Sequence, residues 1–341
     1  MNKRTARIAL VVLIGLVAVY GGLNAQTKVG TTAAQFLGIP VGARSLAMGS
    51  AAVAQQADVS SLYWNPGAAA QTQTSEFAFV NTNWLVDTKF QWFGVLLKLD
   101  ADNTFGASLT QLDYGEEQVT TVDEPNGTDQ RWSARDLAIS LSYARRLTDR
   151  FSVGGSAKYI SQTIWNESAS TVTFDVGLLF VTGFHGMRLG MSLSNFGGDL
   201  QLDGRDLLNP IDIDADNAGG NKTLVGKLKT DAWPTPVFFR VGLALDVVSS
   251  ESFTATVAAD AVRPNDNQEV VNVGGEVSWM KMLFLRAGYK SLGMTDSQEG
   301  LTLGAGVRYS FDGLGSLGVD YAYNEFGLFG NLNTLAIHVG F

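Results

Sequence analysis

The chain contains no cysteine among its 341 residues, which excludes disulfides, thiol catalysis, cysteine metal sites and a lipid-modified N-terminal cysteine. It has only two histidines, His185 and His338, and they stand far apart. A histidine metal centre and a Ser-His-acid triad both lack the clustered partners they require, so no catalytic residue, metal or cofactor is expected. His338 reads as a wall residue with a hydrogen-bond partner. Basic residues form no cluster and the formal net charge is −9, which argues against a nucleic-acid partner. Long apolar runs are also missing. A helix needs about 20 apolar residues to cross a bilayer, and the longest run, Ile8 to Tyr20, has 13.

That short run reads as part of a leader. Lys3, Arg4 and Arg7 precede it, and the small-residue stretch Gly21 to Ala25 follows it, the pattern of a secretory signal peptide cleaved after Ala25. Residues 1–25 are therefore assigned as the signal peptide. Its removal makes the chain more acidic still, because no Asp or Glu precedes Gln26.

What remains is rich in glycine and aromatics and poor in proline, with 38 Gly, 19 Phe, 7 Trp and 9 Tyr against 7 Pro. Apolar residues alternate with small polar ones instead of pooling in helical faces. From residue 75 onward this alternation falls into fourteen segments of about ten residues, divided by Gly, Asp, Asn and Pro. The spans are 75–85, 89–99, 103–113, 134–146, 150–163, 169–182, 187–196, 236–246, 252–263, 268–279, 282–291, 299–310, 315–324 and 332–341.

The connections alternate in length. If the first segment rises from the periplasm, every inner turn is short, whereas the long connections, Tyr114 to Ser133 and Gly197 to Thr235, both fall on the outer side. Outer-membrane barrels carry their longer loops there, and an even strand count returns the C-terminus to the periplasm. The expected fold is all-β: a transmembrane antiparallel barrel of about 14 strands over 75–341, preceded by a plug segment over 26–74. Its expected place is the bacterial outer membrane, with outer-membrane lipid as a partner.

Facing follows from the period of two. Leu137, Ile139, Leu141 and Tyr143 oppose Ala138, Ser140, Ser142 and Ala144. Asp175, Arg188, Arg240, Asp260, Glu276, Arg286, Arg308 and Asp320 all lie on the face opposite the apolar residues. This is the lumen face, because an Arg or Lys facing lipid at mid-bilayer costs about 2–4 kcal/mol. Trp84, Trp92, Tyr159, Trp279, Tyr289, Tyr309, Tyr321 and Tyr323 sit near segment ends, where an interfacial girdle is expected. The last segment places Leu335, Ile337, Val339 and the terminal Phe341 on one face. With Tyr321, these residues resemble the C-terminal signal, ending in Phe, by which outer-membrane barrels are presented to the barrel-assembly machinery.

The stretch from Gly42 to Ala70 has a different grammar. Ala, Ser, Met and Gly at close spacing favour a compact arrangement in which backbone lies against a wall. Asp58 can cap a short turn through Leu62, and Asn65-Pro66 ends it. The pattern Gly42-Ala43-Arg44-Ser45-Leu46-Ala47-Met48-Gly49, followed by Asp58 and Leu62-Tyr63-Trp64-Asn65-Pro66, resembles the start of PorV/PorQ-family proteins, which belong with FadL-type fourteen-stranded barrels. Family members commonly read Asn-Pro-Ala; here Gly67 follows Pro66, a change expected to loosen the turn slightly.

The resemblance implies a choice of functions. PorV-like proteins serve type IX secretion, binding the C-terminal signal domains of exported cargo and passing them to the surface-attachment machinery; the partners implied are cargo C-terminal domains and type IX translocon or attachment proteins. FadL-like proteins admit hydrophobic small molecules, and a purely structural scaffold is a third reading. Charges on many inner strands fit a closed, plugged lumen better than an apolar tunnel. For a cargo carrier, recognition is expected on the outer side. The loop Gly197 to Thr235 carries Leu200, Leu202, Leu207, Leu208, Ile211, Ile213, Leu224, Val225, Leu228 and Trp233 among charges, and is either a docking surface or a lid packed on the rim. Asp212, Asp214 and Asp216 alternate in this loop but lack the Gly and Glu of a calcium loop, so it reads as a solvated acidic stretch.

Overall fold

The structure is a computed structural model that describes residues 28–55, 58–184, 186–212, 224–294, 297–311 and 315–341. The assigned leader and its cleavage point lie outside these residues, as do His185, Ile213, Asp214 and Asp216.

Fourteen strands close into one antiparallel barrel. In chain order they are β1 (Glu76–Asn83), β2 (Lys89–Lys98), β3 (Asn103–Gln118), β4 (Arg131–Thr148), β5 (Phe151–Ile164), β6 (Glu167–Val181), β7 (Arg188–Gly197), β8 (Phe238–Ser249), β9 (Phe253–Pro264), β10 (Val270–Trp279), β11 (Leu283–Leu292), β12 (Leu301–Phe311), β13 (Gly315–Glu325) and β14 (Asn331–Gly340). Each pairs with its neighbours in sequence, and β1 closes the ring on β14 from Glu76 opposite Gly340 to Asn83 opposite Asn333. Closure leaves no unpaired sheet edge, the condition for irregularity-free passage through hydrocarbon.

The strands tell their two faces apart by chemistry. Along β14, Leu335, Ile337 and Val339 are exposed on the outside, while Thr334, Ala336 and His338 are buried within. Tyr321 and Phe341 share the outer face. Most of the expected girdle residues also point outward, but Trp84 packs partly buried against the inner core and Trp92 turns fully inward. It is 1% exposed and lies in the lumen with Phe90 and Leu96. β2 is apolar on both faces, so its inward set fills space beside the plug. Gly94 leaves room for the indole, since a Cβ there would stand 2.0 Å from the Trp92 ring.

Residues 33–55 and 58–72 occupy that lumen. Two short α-helices, α1 (Ala43–Ala47) and α2 (Ser61–Trp64), and two 3-10 turns at Gln35–Gly38 and Pro66–Gln71 form the plug. Asp58 caps the second helix's lead-in, its Oδ1 accepting from Ser60 N at 2.8 Å. Asn65 then takes an extended conformation and its Oδ1 accepts from Gly67 N, stopping α2 and starting the next turn at Pro66. Val41, Ala43, Ala47, Met48, Ala51, Val53, Val59 and Asn65 are fully buried between plug and wall.

Candidate functional site

Plug and wall meet first through backbone. Six inward-facing glycines, Gly154, Gly177, Gly190, Gly274, Gly288 and Gly304, ring the lumen on β5, β6, β7, β10, β11 and β12. A Cβ at any of them would stand between 2.2 and 2.4 Å from a plug atom, among them Pro66 O, Val53 O, Met48 O and Gly49 N. Glycine is required where two backbones approach this closely. The plug answers in kind. Gly49 has φ +64° and its Cβ would strike the β10 and β11 backbone. Gly67 also packs against the wall. A Cβ there would lie 2.4 Å from Gly177 O, so alanine would push the plug off β6.

Polar groups then fix the register. Asp260 Oδ2 accepts from Ala52 N at 2.6 Å and Val53 N at 2.9 Å. Asn65 Nδ2 donates to Val53 O and to Leu178 O of the wall. Thr302 Oγ1 donates to Ala47 O and accepts from Gly49 N. Plug backbone groups with no water to satisfy them thus find partners on the strands.

Across the lower lumen runs a chain of alternating charges. Arg44 in α1 holds Glu276 of β10 through two contacts, Nε to Oε2 at 3.0 Å and Nη2 to Oε1 at 2.8 Å, and reaches Asp58 Oδ2 at 3.1 Å. Arg286 of β11 binds the same Glu276 at 2.6 Å and Asp320 of β13 at 2.5 Å. His338 Nε2 of β14 lies 3.1 Å from Asp320 Oδ2. Burial opposes the ionised carboxylate of Asp58, yet Arg44, the hydrogen bond from Ser60 and the nearby His338 and Arg308 together outweigh it and hold the group below the usual carboxylate range. Burial likewise opposes the charged guanidinium of Arg44, and Glu276 and Asp58 together more than reverse it.

The upper lumen is built around Arg240 and Lys158. The Arg240 guanidinium lies over Phe238, Trp64 and Tyr63 at 4.6, 5.5 and 5.8 Å and donates to Ser194 Oγ. Tyr63 Oη donates to Leu37 O, and burial pushes that phenol up to about 12. Lys158 binds Asp175 at 2.7 Å and Asn195 Oδ1 at 2.7 Å. At the end of the short turns, Arg188 pairs with Asp246 and donates to Ala54 O. Arg308 faces inward beside the Phe284 ring at 5.8 Å. The eight lumen charges singled out in the sequence are thus on one surface, but two of their ion-pair partners were not: Lys158, which binds Asp175, and Asp246, which binds Arg188. Their inward parity was readable.

The long outer connection is partly lid and partly free surface. Leu200 is buried and pairs with Trp233 in a two-residue ladder, and Thr235 Oγ1 donates to Asn195 O. Leu208–Pro210 pairs with Val225–Lys227. Beyond these ties Leu202, Leu208, Ile211, Leu224, Val225, Leu228 and Trp233 remain exposed, and Leu207 is half-buried. A cavity of about 400 Å³ opens here, lined by Ala33, Ala169, Leu200, Leu202, Lys229 and Trp233 among others. Among the described residues no group of His, Asp and Glu is placed to hold a metal.

Comparison with known proteins gives a family and a fold. Residues 23–211 match the family described as type IX secretion system protein PorV. Similar solved structures include the CymD monoaromatic hydrocarbon channel, with TM-score 0.59 and 14% identity, covering 89% of this chain and 97% of that one. The toluene transporter TodX of Pseudomonas putida gives TM-score 0.53 and 15% identity over 88% of this chain and 96% of that one. TbuX of Ralstonia pickettii, also a toluene transporter, gives 0.52 and 11% over 88% and 97%. No curated protein matches the sequence. At these identities the structural likeness establishes the barrel fold alone.

Proposed function

Because the chain belongs to the PorV family of type IX secretion proteins, we propose that it is a non-enzymatic outer-membrane component of protein export. It binds the C-terminal domains of exported proteins at the outer face and delivers them to the surface-attachment machinery. The observation that carries this reading is the contrast between lumen and mouth. The lumen is occupied by a plug held through backbone contact and buried ion pairs, while the mouth exposes seven large apolar side chains on one connection. Large apolar side chains gathered on one connection outside the wall support a docking site for protein. Leu228 and Trp233, with Leu207, Leu208 and Ile211, are assigned to it; Ile213 belongs to the same stretch of sequence.

The experiment is direct binding of a purified exported C-terminal domain to the purified barrel in mild detergent. Tryptophan anchors contribute about 2 kcal/mol or more where they are buried by a partner, so Trp233→Ser together with Leu228→Ser is expected to weaken binding at least about 30-fold. Unchanged binding by the double variant contradicts the assignment of the surface. A barrel that binds no such domain, yet admits toluene-like compounds into vesicles, is a hydrophobic channel of the kind its structural relatives are named for.

A further inference from the structure

The plug's two ends lie at opposite mouths of the barrel. Its exit is fixed by the chain itself, since residue 75 leads into β1 at the end where β14 finishes, with Phe341 N donating to Ser75 O and Lys98 Nζ to Thr72 O. That is the end of the short turns. Its entry is at the other end. Ala33 N donates to Pro234 O of the long connection, and Ala34 N to Gln162 near the top of β5. Thr32 Oγ1 and Gln35 Nε2 both bind Asp266, in the turn between β9 and β10 on the same side. From there the plug descends past Phe238, then the glycines of β10 to β12, then those of β7, β6 and β5.

We infer that the plug is threaded through the whole length of the barrel, and that Lys28 to Thr32 form a surface arm at the outer mouth. Lys28, Val29 and Gly30 are exposed there. Their neighbour Ala33 lines the same mouth cavity as Leu202, Lys229 and Trp233. The arm therefore belongs to the face a partner outside the cell meets, and it is covalently continuous with the plug. This placement holds whatever the partner is.

Two consequences follow from topology. Seating the plug after the β1–β14 seam has closed would require the arm to be passed through the whole lumen, from the end of the short turns to the outer mouth. The plug is also held at both ends, so it cannot swing into the periplasm on a single hinge at residue 75 unless the arm is drawn through the barrel.

The absence of cysteine makes the test simple. Val29→Cys and, separately, Gln73→Cys are introduced, both at exposed positions at opposite ends of the plug. Intact cells, and cells with a permeabilised outer membrane, are treated with a membrane-impermeant maleimide, and heat-modifiable mobility confirms that each barrel is folded. Val29→Cys is expected to label fully in intact cells and Gln73→Cys only after permeabilisation. Lys28→Cys replaces the first variant if it fails to accumulate. A folded barrel whose arm cysteine labels only after permeabilisation overturns the inference, and so does equal labelling of both positions in intact cells.

Discussion

Gly274 and Gly275 are adjacent on β10, and alanine at the two positions should have opposite consequences. A Cβ on Gly274 would stand 2.2 Å from Met48 O and 2.6 Å from Met48 C, both plug backbone. A Cβ on Gly275 would meet only Thr256 O, at 3.6 Å. The first position demands a shift of about 1 Å in the plug or the strand. Overpacking of that kind costs about 1–3 kcal/mol, which lowers the ratio of seated to displaced plug by about 5- to 150-fold. The second is an ordinary contact. Removing a glycine there is neutral, or stabilises by about 0.4–1 kcal/mol through the unfolded chain. The assay uses Ser45→Cys, buried in α1 at 1% exposure, as a reporter of plug displacement in purified protein. The labelling rate should rise 5- to 150-fold with Gly274→Ala and remain unchanged with Gly275→Ala. Equal rates in the two backgrounds would refute the claim that wall glycines seat the plug.

Arg44→Met leaves Asp58 and Glu276 buried without their shared cation. Breaking a buried pair from one side costs about 3–5 kcal/mol; plug labelling should accelerate strongly and be partly restored by adding Glu276→Gln. Plug seating should also weaken in acid. Asp58 is held below its ordinary pKa in the seated state, so its contribution is complete above about pH 4 and disappears as pH falls towards the lowered value. Labelling of Ser45→Cys with an acid-tolerant thiol reagent should therefore be constant from neutral pH to about 5 and increase below 4; a rise centred near neutral pH contradicts this. Trp233→Ser, exposed and outside the barrel wall, should leave thermal stability within about 0.5 kcal/mol, measured by the loss of heat-modifiable mobility on heating.

The barrel was legible because its signal is local. Each strand repeats one pattern over about ten residues, and loop lengths fixed the two ends without reference to contacts. Trp92 shows the limit of that reasoning: on β2 both faces are apolar, so alternation cannot say which faces lipid. The plug was legible as a segment but not as an arrangement. Arg44 meets Glu276 across 232 positions and Gly49 meets Thr302 across 253, pairings that no local pattern encodes. The packing role of Gly67 was hidden because its neighbour Gly177 is invisible from the sequence around it. The entry of the chain at the far mouth was likewise hidden, since Thr32, Ala33 and Gln35 carry no mark of the loop residues that hold them.

The most direct test of the export role is recovery of the tagged protein from its native outer membrane in mild detergent, with mass spectrometry of the proteins and small molecules that accompany it. Exported proteins sharing a C-terminal β-domain, together with type IX translocon or attachment proteins, are the predicted companions, and their yield should fall with the Leu228→Ser, Trp233→Ser pair. The barrel recovered alone with a bound hydrocarbon or lipid would contradict the account.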